Sequence, residues 1–399
     1  MTLQVLEHEK LRIGERLPAQ HWQALAAFAQ GNAERYFRIL HNGIQFSNYV
    51  GALQVGDLTI EILPKIDDIS EANAQVVLVE MLRECRLLQP ESPAMAALRE
   101  HRGSLLDLYI VQFLDEVQQL LREGLTRSYL AETQNRRTFK GKLLIHKQIE
   151  QNLVRPERFF TQTLEYSYEH PFNRLLYTAL LALGKLTLPA KAAFFLQQLR
   201  QQFPPVEPWC LPLPDFDSLR FNRQTLRYKN TLQVALSILQ QTRPELRAGR
   251  LQVLAILFDM NFLFEAFIFR QLQQAASKNI AVKRQVPKPF WNRRAIQPDI
   301  VLAIDNQNII IDTKWKKLTK VSPAMDDLRQ LFVYNQYFDA RHSVLVYPRV
   351  PGLQDLEPVP FQPVGENAAA YFCQVRLASL VKDGRLNRQL GAELLEKIL

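Results

Sequence analysis

Short apolar runs broken by turn residues dominate the first seventy positions. Tyr36–Leu40 and Ile44–Tyr49 flank His41-Asn42-Gly43, and an Asn-Gly pair between apolar runs predicts a hairpin. Val50–Val55 meets Leu58–Leu63 across Gly56-Asp57. Thr59-Ile60-Glu61-Ile62 alternates as on a half-buried strand, and Pro64 ends the run. Residues 1–70 therefore read as a small β-rich module. The spacing then turns helical at Glu71–Leu88, Leu105–Glu123, Asn173–Leu188, Lys191–Gln202 and Asn230–Gln241. Pro204, Pro205, Pro208, Pro212 and Pro214 mark an extended connector within it, and 71–250 reads as a mainly helical middle region. From Leu251 the pattern changes again. A helix over Asp259–Ala276 leads through a basic stretch to two strands, Asp299–Ile304 and Asn308–Lys316, around the turn Asp305-Asn306-Gln307. A helix over Pro323–Phe338 and a strand at Ser343–Tyr347 follow. The order is αββαβ over 251–350, with a C-terminal extension at 351–399. The fold class is a multidomain mixture of α+β and α/β.

The second of those strands carries chemistry. Side chains alternate along a strand, so Asp312 and Lys314 share a face, with Asp299 near them across the hairpin. Ile309, Ile311 and Thr313 point to the opposite, apolar side. A lone Asp-x-Lys triplet is common as a solvated ion pair on exposed strands. Here it follows three consecutive isoleucines, and a buried strand has little reason to carry both charges unless they face a cleft. Two carboxylates suit a hard cation that takes oxygen ligands, and a lysine beside it can hold water and offset charge at a phosphoryl group. Such a group of residues suits phosphodiester hydrolysis. Mg²⁺ and Mn²⁺ both accept that ligand set.

The 399 residues carry a formal net charge of +9, which favours polyanionic partners. Ala281–Pro298 holds Lys283, Arg284, Lys288, Arg293 and Arg294 with Phe290-Trp291 among them and no acid. It lies beside the candidate site, and these residues, Trp291 included, are candidate DNA contacts through phosphate and ring. Gln134–Gln148 is a second basic stretch, for which inter-domain packing serves as well. Cys85, Cys210 and Cys373 are far apart with no CxxC, which argues against a disulfide framework or zinc ribbon and fits a reducing cytoplasm. No run is apolar enough to serve as a signal peptide or a bilayer span. Asp326 and Asp327 read as favourable charges at a helix N-terminus, and Glu165 and Glu169 as structural.

Pro298-Asp299 followed by Asp312-Thr313-Lys314 resembles the PD-(D/E)xK nuclease signature. Asn261-Phe-Leu-Phe-Glu265 looks like that fold's first core helix, and Gln330-Leu-Phe-Val-Tyr334 resembles the Gln-x-x-x-Tyr element of its RecB-like branch. The segments 49–65, 139–145 and 173–177 are similar to those of the McrC family, the endonuclease subunits of the McrBC methylcytosine-dependent restriction system. The resemblance implies a restriction-endonuclease-like core in which Asp299, Asp312 and Glu265 serve the metal and Lys314 the water. Gln330 and Tyr334 would steady the substrate or the lysine. It implies a hexameric AAA+ GTPase partner of McrB type that reads methylated DNA, docked through the N-terminal region, and two copies for a double-strand break. The chain has no G-x-x-x-x-G-K-[ST] loop, so GTP would be bound by the partner. Two other readings stay open: a non-catalytic activator of the GTPase ring, and a stand-alone RecB-like repair nuclease.

Overall fold

The computed structural model describes residues 2–31, 34–66, 71–88, 104–241, 253–305, 307–362 and 370–399. Asn306 of the anticipated turn, Ile69, Leu251 and the segment boundaries at 70 and 250 lie outside them. The chain forms two compact units. The first gathers 1–53, 58–105 and 257–399; the second holds 54–57 and 106–256. The four consecutive segments drawn from the sequence do not coincide with these units, because the N-terminal strands share a unit with the C-terminal sheet.

In the first unit Thr2–Leu6 runs parallel to Leu58–Leu63, and Phe37–Leu40, Gly43–Phe46 and Lys10–Arg12 make a small antiparallel sheet. The hairpin at Asn42-Gly43 forms as the turn signal predicts. Glu61 does not face water as its alternation suggested. It is buried, and its carboxylate accepts from Gln4 Nε2 at 3.0 Å, Gln75 Nε2 at 3.1 Å and the Leu105 N–H at 2.7 Å. An orphan N–H at a helix start is thereby satisfied by a distant strand.

The larger sheet of this unit has six strands, in the order Ile280–Arg284, Ile300–Ile304, Gln307–Thr313, Ala340–Pro348, Phe372–Ala378, Leu356–Pro360. The anticipated hairpin is present, pairing Ile300 with Ile311 and Val301 with Ile310. The strand then runs parallel to Ala340–Pro348, placing Asp312 beside Leu345 and Thr313 beside Val346. A helix, Met325–Phe338, makes the crossover and packs Leu331, Tyr334 and Phe338 on Val301, Ile310, Leu345 and Tyr347. Ile310 and Ile311 are both fully buried, so this strand is covered on both faces, as central parallel strands are. The expectation of a single apolar side is corrected accordingly.

Two further differences concern the ends of this region. The stretch before Pro298 supplies an edge strand, Ile280–Arg284, antiparallel to Ile300–Ile304, and a small hairpin of Lys288–Trp291 with Arg294–Ile296. Beyond 350 the chain is not an appendage. Phe372–Ala378 extends the sheet parallel to Ala340–Pro348, and helix Leu390–Ile398 packs on helix Met260–Ala275. A Cβ on Gly391 would sit 1.9 Å from the Gln271 carbonyl oxygen, so only glycine permits that approach.

The second unit departs from the helical middle the spacing suggested. Helices Leu105–Glu123, Pro171–Leu183, Ala190–Gln202 and Lys229–Gln241 form, but Ser128–Arg136 and Phe159–Ser167 make a nine-pair antiparallel ladder with Lys142–Leu143 at its edge. These strands bury few apolar side chains, which is why hydrophobic spacing did not reveal them. Gly141, at φ +86°, lets the backbone pass the Gln162 carbonyl, 2.4 Å from where a Cβ would lie. Fully buried Asn173 donates to the Thr126 and Tyr168 carbonyls, both at 2.8 Å, and accepts from the Tyr228 hydroxyl at 3.0 Å. Glu165 pairs with Arg136 at 3.0 Å and Glu169 with Arg174 at 3.6 Å, structural roles as expected. Among the described residues the three cysteines are free, and no helix is long and apolar enough to cross a membrane.

Candidate functional site

Asp299 lies just before the strand Ile300–Ile304. Its Oδ2 accepts from the Thr313 N–H at 2.7 Å and the Thr313 hydroxyl at 2.8 Å. Thr313, assigned from the sequence to the apolar side, therefore fixes the first carboxylate. Asp312 is only 1% exposed. Burial and the neighbouring Asp299 carboxylate push its pKa up to about 7, against the pull of Lys314.

Lys314 follows the last residue of the strand, where its N–H still donates to the Val346 carbonyl at 2.9 Å. Its ammonium lies 2.8 Å from Asp312 Oδ2, 3.7 Å from Asp327 Oδ1 and 3.2 Å from Gln330 Oε1. Burial works against that charge, but Asp312, Asp327 and Asp299 outweigh it and hold the pKa above the usual lysine value. Gln330 Nε2 donates to the Tyr334 hydroxyl at 2.7 Å, and that hydroxyl donates to the Gln297 carbonyl at 3.1 Å. A continuous chain of hydrogen bonds thus ties the lysine to the backbone just ahead of Pro298-Asp299. Asp299, Asp312 and Lys314 lie together as strand alternation and the hairpin implied, and Gln330 and Tyr334 join them as the resemblance implied.

Glu265 is placed differently from a plain third ligand. Its helix starts at Met260, capped by Asp259, which accepts from the Asn261 N–H at 2.8 Å and from Asn48 Nδ2 at 2.9 Å. The Glu265 carboxylate is nearly buried, and its Oε1 accepts from Arg284 Nε at 2.8 Å and Gln285 Nε2 at 2.9 Å. Burial raises its pKa, Arg284 lowers it, and nearby Asp299 raises it. Among the described residues no three His, Cys, Asp or Glu side chains form a ready-made metal cage.

The donor set nevertheless fits a hard divalent cation. Two carboxylates repel one another in a buried setting. Asp312 Oδ2 is buried, with the Lys314 ammonium 2.8 Å away. Mg²⁺ commonly takes one or two carboxylates, with water and substrate phosphate completing its shell. Asp299 and Asp312 are the residues that would hold it.

The basic residues expected to contact DNA divide into two groups. Lys283, Lys288, Arg293, Arg294 and Trp291 are exposed, the last four on the hairpin just before Asp299. Arg294 lies over the Trp291 ring at 6.0 Å, and Lys288 donates to the Tyr337 carbonyl at 2.7 Å. Arg284 instead turns inward, bonding Glu265 and covering the Phe262 ring at 4.8 Å. The shared basic stretch concealed this, because residue 284 sits on the inward side of an alternating edge strand.

Asp327 is the residue that the sequence analysis missed. Besides Lys314 it contacts Lys316 Nζ at 3.5 Å and accepts from the Tyr347 hydroxyl at 3.2 Å. A signal was present: Asp327, Gln330 and Tyr334 fall at i, i+3 and i+7 on one helix face. We expect Asp327→Asn to slow any Lys314-dependent cleavage by about tenfold and to move the alkaline limb of its pH–rate profile to lower pH. An unchanged profile would remove Asp327 from the site.

Fold and site together define a mixed α/β protein with two acidic residues and a charged lysine gathered at the end of a mixed sheet. Residues 44–348 match the family model described as McrBC 5-methylcytosine restriction system component, and the chain belongs to that family. No curated protein matches it. Two solved structures are similar. One is a chain of the refined half-complex from a tetradecameric assembly of Thermococcus gammatolerans McrB AAA+ hexamers with bound McrC, at 20% identity and TM-score 0.69 over 100% of both chains. The other is a chain of the cryo-EM structure of the Thermococcus gammatolerans McrBC complex, at 20% identity and TM-score 0.54, covering 70% of this chain and 89% of that one. At this identity the likeness is one of fold.

Proposed function

We propose that the chain is the DNA endonuclease subunit of a modification-dependent restriction system. In this reading it has a PD-(D/E)xK core, uses Mg²⁺ or Mn²⁺, and works with a GTP-hydrolysing AAA+ ring of McrB type. The observation that carries the reading is the pairing of buried Asp312 with Asp299 beside a lysine tethered by Gln330 and Tyr334. A bound divalent cation would polarise the phosphodiester and favour hydroxide from water. Lys314, held in its charged form, donates to a phosphate oxygen or orients water rather than removing its proton. Thr313 aims Asp299, and Glu265, held by Arg284 and Gln285, acts through water. The hairpin carrying Lys288, Trp291, Arg293 and Arg294 grips the backbone of the duplex. One such site cuts one strand, so a double-strand break takes two copies.

The test is cleavage of methylated and unmethylated plasmids by the chain with its AAA+ partner, GTP and Mg²⁺. Cleavage restricted to methylated DNA, GTP and Mg²⁺ supports the proposal. Stimulation of GTP hydrolysis without cleavage would leave a non-catalytic activator, and GTP-independent cutting at DNA ends would leave a repair nuclease.

An exposed apolar surface suits docking on the ring, and within the N-terminal module the strands Tyr49–Val55 and Leu58–Leu63 are largely buried. The second unit offers Ile145 and Ile149 on one helix face, followed by Leu153 and Val154 at 76% and 85% exposure. The same family's assembly with AAA+ hexamers points to such a ring as the occupant. We expect Ile149→Asp with Val154→Asp to weaken co-elution with the partner by about tenfold or more, with unchanged thermal unfolding of the chain alone. Undiminished co-elution would exclude this face.

A further inference from the structure

Immediately after Lys314 the chain borders a cavity of about 200 Å³, also lined by the N-terminal strand end and the ends of the parallel strands. Its apolar lining includes Ile66, Trp315, Ala378 and Leu380. Exposed Lys65, Lys316 and Arg349 line its rim. Glu7, only 3% exposed, also lines it. Glu7 Oε1 is fully used, accepting from the Lys65 N–H at 2.8 Å and Trp315 Nε1 at 2.9 Å. Glu7 Oε2 is buried without a hydrogen-bond partner, with His8 Nε2 3.9 Å away. An orphaned acceptor of this kind costs free energy unless something donates to it.

Three features define the complementary ligand: a hydrogen-bond donor for Glu7, a flat apolar body against Trp315, and negative charge for the rim. A nucleotide bearing an exocyclic amine has all three. The position, at the carboxyl ends of parallel strands, is where ligands enter open α/β sheets. The cavity also joins the site already described, since Lys316 on its rim shares Asp327 with Lys314.

We propose that this cavity is a nucleotide subsite for the DNA strand next to the scissile phosphate. The unstacked base lies against Trp315 with its amino group donating to Glu7 Oε2, and Lys65, Lys316 and Arg349 hold the flanking phosphates. The DNA source rests on the nuclease reading; the pocket chemistry does not. Cytosine, adenine or guanine offers an exocyclic amine, and thymine, which has a carbonyl there and only its N3–H to donate, is disfavoured by about tenfold.

The experiment is photo-crosslinking of the full chain, in EDTA, to single-stranded oligonucleotides carrying one 5-iodocytosine or one 5-iodouracil, with the labelled peptide mapped by mass spectrometry. Labelling of Trp315, about tenfold stronger with iodocytosine, is the expected result. Glu7→Gln should erase that preference, because an amide can serve either base. Should Glu7→Gln fail to fold, the exposed rim pair Lys316→Glu with Arg349→Glu should cut Trp315 labelling by about tenfold. Labelling confined to Trp291, or equal for both bases, overturns the subsite. Trp315 labelling by free iodocytosine monophosphate but not by the oligonucleotide would overturn the DNA-strand assignment. Because EDTA prevents cleavage, the two readings fail separately. A chain that cuts DNA without Trp315 labelling loses only the subsite, and one that labels without cutting keeps the base pocket but loses the nuclease and, with it, the placement beside a scissile phosphate.

Discussion

Replacing Asp312 with alanine should abolish DNA cleavage while leaving stimulation of the partner's GTP hydrolysis intact. Asp312 is one of two carboxylates available to a divalent cation, and Glu265 is committed to Arg284 and Gln285. No other described acid group completes a metal cage. Loss of one ligand from so small a set should slow cleavage by about 1,000-fold or more, equivalent to roughly 4 kcal/mol of barrier. Lys314 would retain Asp327 and Gln330, so its position should persist. Plasmid cleavage and GTP turnover measured on the same preparations check this. If the variant cuts like the wild type, the site is misassigned. If both activities vanish together, the variant has lost its fold or its docking, and Asp312→Asn, which preserves side-chain volume, decides between these.

Asp312→Asn should also stabilise the metal-free protein above pH 7. The Asp312 pKa is raised from 3.8 to about 7, with burial the largest cause and Asp299 next. The folded state therefore binds more protons than the unfolded chain between these values. Stability from this group is fully present below the unfolded pKa and is lost as pH rises through about 7. Asparagine removes the ionisation, so its advantage should grow between pH 4 and 8 and vanish at the acid end. An increase in Tm of about 5 °C at pH 8 is the expected scale. Lys314 does not obscure this, because its pKa is raised and its contribution is lost only at more alkaline pH. Mg²⁺ should raise the wild-type Tm at pH 8 and have little effect on the variant. Scanning calorimetry across that range checks both, and a flat difference between the proteins would show that Asp312 is not strained by its surroundings. Stability gained by disabling the site is the trade expected where charges are held together for chemistry.

Local pattern carried much of the site. Alternation along the anticipated strand 308–316 put Asp312 and Lys314 together, the turn after Ile304 brought Asp299 across, and helical spacing aligned Gln330 with Tyr334. The same reasoning stopped at Asp327, whose proximity to the helix N-terminus supplied a sufficient local explanation even though its face was shared. Arg284 was grouped with its basic neighbours because a run of charge does not reveal which member turns inward.

What the sequence determined by itself is what short-range rules govern. Side-chain periodicity, turn chemistry and the spacing of charged residues specified the hairpin, the crossover helix and the acid–acid–lysine group, because each depends on residues within about one element of each other. Tertiary structure decided the rest. Glu61 became a buried acceptor only when the Leu105 N–H reached it, and Glu7 met Trp315 across 308 positions. The strand Phe372–Ala378 joined the sheet only because Ala340–Pro348 presented an unpaired edge. The ladder of the second unit is held by paired backbones rather than by apolar faces, so no hydrophobic rhythm announced it. A polar group's burial and its partner are properties of the assembled neighbourhood, and no count along the chain contains them.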